Sequence, residues 1–416
     1  MRDARRWIGP AAIIAVALAL LAVDRVANPS PPPPEPPPGW RIVRPPHEVS
    51  ALAIRGDTVW AGGQEGVFRI DRPSGRLDGA LDVGAPLAFV RALAVDGGGR
   101  LWIGHAGGVT VWDGSSASTS GVADGLPDTC VNALLVARDG SVWAGTCGGA
   151  ARWDGERWRA LTSADGLLVD HVNVLFEDDA GGMWFGSAMP PRGGLSLLAE
   201  GRWRYVTTGS GLPHNGVTSI VADGVGGVWV GTGFVDRGGA CPLARGASGW
   251  EIARVLGAGD GLAGAKVRYV FPDGEATWVC SEYDGVAILG QETRTVVTER
   301  DGLSSNEVKQ VVEDADGTLW LATRDGVTRI EAAARPAAKI SAPAGVDAQR
   351  RATPARRRQA KSAGARGHDA GSFRCRDPSG EDRPQMARIS QNAADRRCRS
   401  AASASFAVSA ASLLDN

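Results

Sequence analysis

A chain of 416 residues is long enough for one large domain or two ordinary ones, and its formal net charge of -1 gives no overall pull toward a polyanion. That balance hides a segregation: from Arg335 onward 16 Lys and Arg face 7 Asp and Glu, which puts +9 on the last part and -10 on the rest. A mildly acidic body excludes nucleic acid as the expected partner.

At the N-terminus, Arg2, Arg5 and Arg6 precede an apolar run from Ile8 to Val23 that stops at Asp24-Arg25. This is the pattern of a targeting segment, a cleaved signal peptide or a membrane anchor over residues 1–28. No clean small-x-small cleavage site follows, which favours an uncleaved membrane helix with its basic end in the cytoplasm. A Pro-rich linker (29–38) comes next. The body is therefore expected to be exported: periplasmic or otherwise extracytoplasmic, anchored to the inner membrane or secreted.

From Gly39 a repeat takes over. Trp60, Trp102, Trp143, Trp184, Trp229, Trp278 and Trp320 recur at spacings of 42, 41, 41, 45, 49 and 42, most of them in an apolar-Trp-apolar-Gly context. A second element opens 11 or 12 residues earlier with Val49, Val90, Val131, Val172, Val217, Val267 and Val308. Turn residues such as Arg138-Asp139-Gly140 separate the two, which is hairpin chemistry. Third and fourth strands follow, as at Ala150 to Trp153 and Arg157 to Leu161. Four short strands in about 42 residues make one blade, and seven repeats make an all-β, single seven-bladed β-propeller over residues 39–333. The seventh repeat ends after its third strand, so Trp40-Arg41-Ile42-Val43 is expected to supply the fourth and close the ring. The repeated Trp and Gly are read as packing: large buried area, and room for the neighbouring backbone.

The run Val-x-x-Leu-x-x-Asp-x-x-Gly-x-Val-Trp-x-Gly-Thr, preceded by Asp-Gly-Leu-Pro, resembles the two-component regulator propeller repeat. The fullest copies are 123–146 and 301–323, with further Asp-Gly-Leu at Asp165 and Asp260 and a variant at Ser210. The resemblance implies a periplasmic ligand-sensing domain of a signalling system. The sequence departs from the kinase-type members in having one propeller, no kinase glycine boxes and no second hydrophobic span, so the expectation is a non-enzymatic sensor. Beyond it, residues 334–416 read as a disordered, basic Ala/Arg-rich tail. Its abrupt change of character suggests a frame change near residue 335.

Loops joining the Trp strand to the third strand share one face with the inter-blade loops, and unusual residues gather there. Blades 4 and 5 carry four extra residues each (187–192 and 232–237), ending in Arg192 and Arg237, with Arg324 at a similar place in blade 7. Glu282 and Tyr283 occupy that position in blade 6 and Gln64 in blade 1, while the inter-blade loops add Asp170, His171, His214, Asn215 and Asn306. Such a rim suits an anionic ligand, a small organic acid or a glycan fragment, or an envelope signalling partner. The histidines His47, His105, His171 and His214 are placed on loops of the same face, too scattered for a metal site, and no cofactor is expected. Asp-rich turns such as Asp178-Asp179 and Asp314 to Asp316 lie on the opposite face and are read as turn chemistry. Export favours disulfides, expected as Cys130–Cys147 and Cys241–Cys280, with Cys375 and Cys398 unpaired. Two alternatives to sensing remain at this point: a propeller lyase with a metal-assisted His site, and an envelope interaction scaffold.

Overall fold

Short strands rich in Val, Trp, Leu and Ala cannot bury both faces alone, so each sheet is covered by its neighbours. In the computed structural model, residues 35–187, 192–246 and 249–336 are described, and they form seven antiparallel four-stranded sheets. Blade 3 shows the pattern, with Val131–Val136, Val142–Thr146, Gly149–Trp153 and Trp158–Leu161 in spatial order. The first strands of neighbouring blades pack against one another all the way round. The last sheet takes Trp40–Val43 as its outer strand, paired Trp40 to Ile330 and Val43 to Val327, so the chain's own beginning closes the ring. The Trp40 indole also donates to Ala334 O at 3.0 Å, fastening the seam.

The repeated Val and Gly are two halves of one contact. Val49, Val90, Val131, Val172, Val217, Val267 and Val308 are all at most 1% exposed. A Cβ at Gly104 would lie 2.6 Å from Val131 Cγ1, and one at Gly145 would lie 2.8 Å from Val172 Cγ1, in each case on the next blade. Close blade packing therefore needs the glycine's missing side chain.

Asp-Gly-Leu is a loop device. Before blade 4, Asp165 Oδ2 accepts from Thr162 N at 2.9 Å across a 3-10 turn (Ser163–Asp165), Gly166 takes φ +117, and Leu167 is buried as a plug. The loops ending at Asp124, Asp260 and Asp301 repeat the same bond.

The expected Cys241–Cys280 disulfide does not form; both thiols are free and buried. Cys280 stands in the glycine column, two residues after Trp278, and packs with Val308 toward blade 7. Cys241, paired with Val230, packs with Trp184 and Val217 toward blade 4. The two side chains leave their blades in opposite directions. Cys130 and Cys147 are joined, with Cα atoms 5.6 Å apart. The expected targeting helix and basic tail lie outside the described residues, among which no helix is long and apolar enough to cross a membrane.

Candidate functional face

One bond recurs between inter-blade loops and Trp-strand turns. Cys147 N donates to Cys130 O, Gly233 N to Gly216 O, Glu282 N to Lys266 O and Arg324 N to Glu307 O, at 2.8–3.2 Å. The two loop sets thus form one continuous face, and Gln64 joins it by donating to His47 O and accepting from Phe89 N.

The sequence-expected residues divide on that face. Asp170, Asn215 and Asn306 each stand two residues before the repeated Val, and their side-chain oxygens accept from Ser163 N, Thr208 N and Glu299 N at 2.6–2.9 Å. They hold the loop's own main chain. Arg324 pairs with Glu48 at 3.1 Å. Glu282 pairs with Lys266 and, at 3.4 Å, with Arg268, and it accepts from the Tyr283 hydroxyl at 2.8 Å. Burial would raise the Glu282 pKa, but these partners together outweigh it and hold the carboxyl below the usual glutamate range. Arg192 and Arg237 are exposed, and among the described residues neither has an ion-pair partner.

The insertion in blade 5 is a longer hairpin rather than a loop. Strands Val228–Phe234 and Arg237–Gly246 run past the blade, and Val235 turns the tip at φ +56, a strained conformation for a β-branched residue. Phe234, 49% exposed, stacks on His214 with ring centroids 6.3 Å apart. Burial and then Arg237 depress the His214 pKa. Residues 188–191 of the other insertion lie outside the described residues. Of the four histidines that the sequence places on this face, His105 does not sit on a loop. It ends the strand Leu101–His105 and is buried, with Nε2 2.9 Å from Thr110 Oγ1, because it replaces the threonine found there in blades 3, 5 and 7.

The sequence reading missed the column just after the repeated Val: Ser50, Arg91, Asn132, Asn173, Thr218, Arg268 and Lys309. Most of these side chains reach across to the following blade. Asn132 Nδ2 donates to Val172 O, Asn173 Nδ2 to Val217 O and Thr218 Oγ1 to Val267 O, at 2.7–3.1 Å. Arg268 pairs with Glu307 at 3.7 Å, and Lys309 with Glu48 at 2.6 Å. A polar ring therefore encircles the mouth between the innermost strands. Reading the repeat by column would have found it. Among the described residues no group of three or more His, Cys, Asp or Glu is disposed to hold a metal.

Residues 211–234 and 302–325 match the family model described as two component regulator propeller. No curated protein matches the chain. Among solved structures, it is similar to the extracellular domain of the hybrid two component system BT3049 from B. thetaiotaomicron: 16% identity and TM-score 0.56, over 69% of this chain and 40% of that one. It is equally similar to PorZ, a surface component of the type-IX secretion system of Porphyromonas gingivalis: 16% identity and TM-score 0.56, over 68% and 46% of the two chains. The chain spans less than half the length of either. Virginiamycin B lyase from Staphylococcus aureus is matched over 98% of its length and 70% of this chain, at 15% identity and TM-score 0.54. At these identities the likeness is one of fold.

Proposed function

We propose that this chain, a propeller carrying the two-component regulator repeat, is the recognition part of an extracytoplasmic two-component-type signalling system. Its ligand is an anionic small molecule or glycan fragment, taken on the face built by the Trp-strand turns and inter-blade loops. The observation that carries this reading is the presence, on neighbouring blades of one face, of exposed Arg192 and Arg237, without an ion-pair partner among the described residues, and of exposed rings at Phe234 and Tyr283. Cations and aromatic faces together make a surface that holds a charged, partly apolar ligand. Export is supported by the basic-apolar start of the chain and by the Cys130–Cys147 disulfide.

The experiment is a thermal-shift screen of organic acids and glycans on the full chain, run with and without EDTA, and repeated on an R192Q/R237Q variant. A chelator-independent shift lost in the variant supports the reading; no shift with any ligand, or one untouched by the variant, refutes it. The lyase alternative is favoured by the near-complete coverage of virginiamycin B lyase. Turnover of virginiamycin B abolished by EDTA would establish it instead.

A further inference from the structure

Arg91 is the exception in the polar ring. Lys266, Arg268, Lys309 and Arg324 are threaded on Glu282, Glu307 and Glu48 in one continuous ladder across blades 6, 7 and 1, so their charges are met. Arg91 occupies the column of Arg268 and Lys309 in blade 2 and has no carboxylate at ion-pair distance among the described residues. Its Nη1 reaches only neutral atoms of blade 3, Cys130 Sγ at 2.9 Å and Asn132 Oδ1 at 3.2 Å. Nη2 and Nε make no hydrogen bond among the described residues, and the residue is exposed. Asp128, whose charge acts on His171, is turned onto Cys130 N at 2.7 Å.

On the other side of Asn132 stands His171, immediately before Val172, whose carbonyl Asn132 caps. The ring is half-buried and its Nδ1 has no hydrogen-bond partner. Burial, helped by the Arg91 charge, lowers the His171 pKa against the opposing pulls of a main-chain hydrogen bond and of Asp128. Two residues before Arg91, Phe89 is half-buried and sits at φ +55, a conformation an aromatic residue adopts only when its surroundings impose it. An uncompensated guanidinium and a half-buried imidazole therefore flank Asn132 at one arc of the mouth, while on the opposite arc the cations are met by carboxylates.

We propose that the channel mouth at blades 2 to 4 is a binding site for a small monocarboxylate, held by the free Nη2/Nε edge of Arg91 beside His171. A planar two-oxygen anion matches the guanidinium fork, and a single unmet positive charge suits a monoanion better than a phosphate dianion. The site shares the face with the ligand proposed above but none of its arginines, so either assignment can fail alone.

The test is isothermal calorimetry of the full chain with acetate, lactate and inorganic phosphate in chloride buffer, alongside Arg91→Gln, Arg91→Lys and the ion-paired control Arg268→Gln. Acetate or lactate should bind the parent protein, and R91Q should weaken binding about ten- to hundred-fold, as loss of a charged hydrogen-bond pair does. R91K keeps the charge without the fork and should also bind measurably weaker, while R268Q should match the parent. If R91Q does not fold, R91K decides the question alone. No carboxylate binding in the millimolar range, unchanged affinity in R91Q or R91K, or tighter binding of phosphate than of carboxylates would each overturn the proposal.

Discussion

The indole Nε1 of Trp184 donates to Asp178 Oδ2 at 3.0 Å, joining the repeated Trp to the turn that precedes its strand. Trp102 with Asp96, Trp278 with Asp273 and Trp320 with Asp314 make the same bond at 2.8–3.1 Å. Asp178 is 3% exposed, and its other oxygen accepts from Ala180 N and Gly182 N at 2.9 Å each. A buried carboxylate here collects donors that would otherwise be left without partners. Arg245 of blade 5 sits 3.3 Å from the same oxygen as the indole and offsets its charge.

Asp178→Ala should therefore destabilise the propeller by about 2–4 kcal/mol, because it strands a buried indole and two turn amides together. Asp223→Ala is the comparison. Asp223 accepts from Val225 N and Gly227 N but from no indole among the described residues, so its loss should be smaller. Urea unfolding of both variants checks the order; equal losses would show that the Trp bond contributes nothing.

The Val–Gly contact predicts a coupling. Gly145→Ala puts a methyl 2.8 Å from Val172 Cγ1 and should cost about 1–3 kcal/mol by overpacking. Val172→Ala empties the same space and leaves a cavity, so the double variant should be more stable than the sum of the two losses predicts, by about 0.5 kcal/mol or more. Strict additivity in a double-mutant cycle would mean that the two blades do not meet there.

How much of this was legible depended on whether a residue's role followed the repeat or needed a neighbour. The seven sheets and the closing strand Trp40–Val43 followed from period alone. The column rule also contained the fate of Cys280, since a residue at the position of Gly104 and Gly145 must face the next blade; pairing it with Cys241 ignored that direction. Asp178 looked like ordinary turn chemistry because its bond to Trp184 spans six residues and depends on how the hairpin folds back. Asp170, Asn215 and Asn306 looked available for ligand because only the 3-10 turn, absent from the periodic pattern, consumes their oxygens.

His105 predicts an acid-sensitive slope. Burial depresses its pKa, so as pH falls below the ordinary histidine range the unfolded chain takes up a proton that the folded chain refuses. That contribution erodes stability until the depressed folded pKa is also passed. His105→Thr, which installs the residue of Thr146, Thr232 and Thr323, should remove this part of the slope. Midpoints of urea unfolding between about pH 5 and 7 should then vary less than in the parent. Parallel slopes in both proteins would rule the buried imidazole out as the source.

Glu282 predicts a slope set by an acid. Its folded pKa lies below the usual glutamate value, so its stabilising share is fully present above the unfolded pKa and is lost as pH falls through the folded one. Glu282→Gln should be less stable than the parent at neutral pH and converge with it in the acid range. A gap that persists undiminished at low pH would assign the effect to packing rather than to charge.

The cysteines give the sharpest contrast between two pairs in one fold. Cys130 and Cys147 close a loop with a sequence separation of 17, so reduction should cost about 3 kcal/mol by the chain-entropy account and lower the melting temperature. Cys241 and Cys280 are buried thiols, and burial alone pushes Cys241 up to about 12 and raises Cys280 further still. A thiol so rarely ionised and so enclosed is a poor nucleophile. Under native conditions iodoacetamide should leave both unlabelled, while denaturation without reductant should label both and still spare Cys130 and Cys147. Peptide mapping by mass spectrometry reads all four positions at once. Native labelling of Cys280 would mean that blades 6 and 7 separate in solution, and a Cys241–Cys280 cross-linked peptide would mean that the packing of Cys280 toward blade 7 and of Cys241 toward blade 4 is wrong.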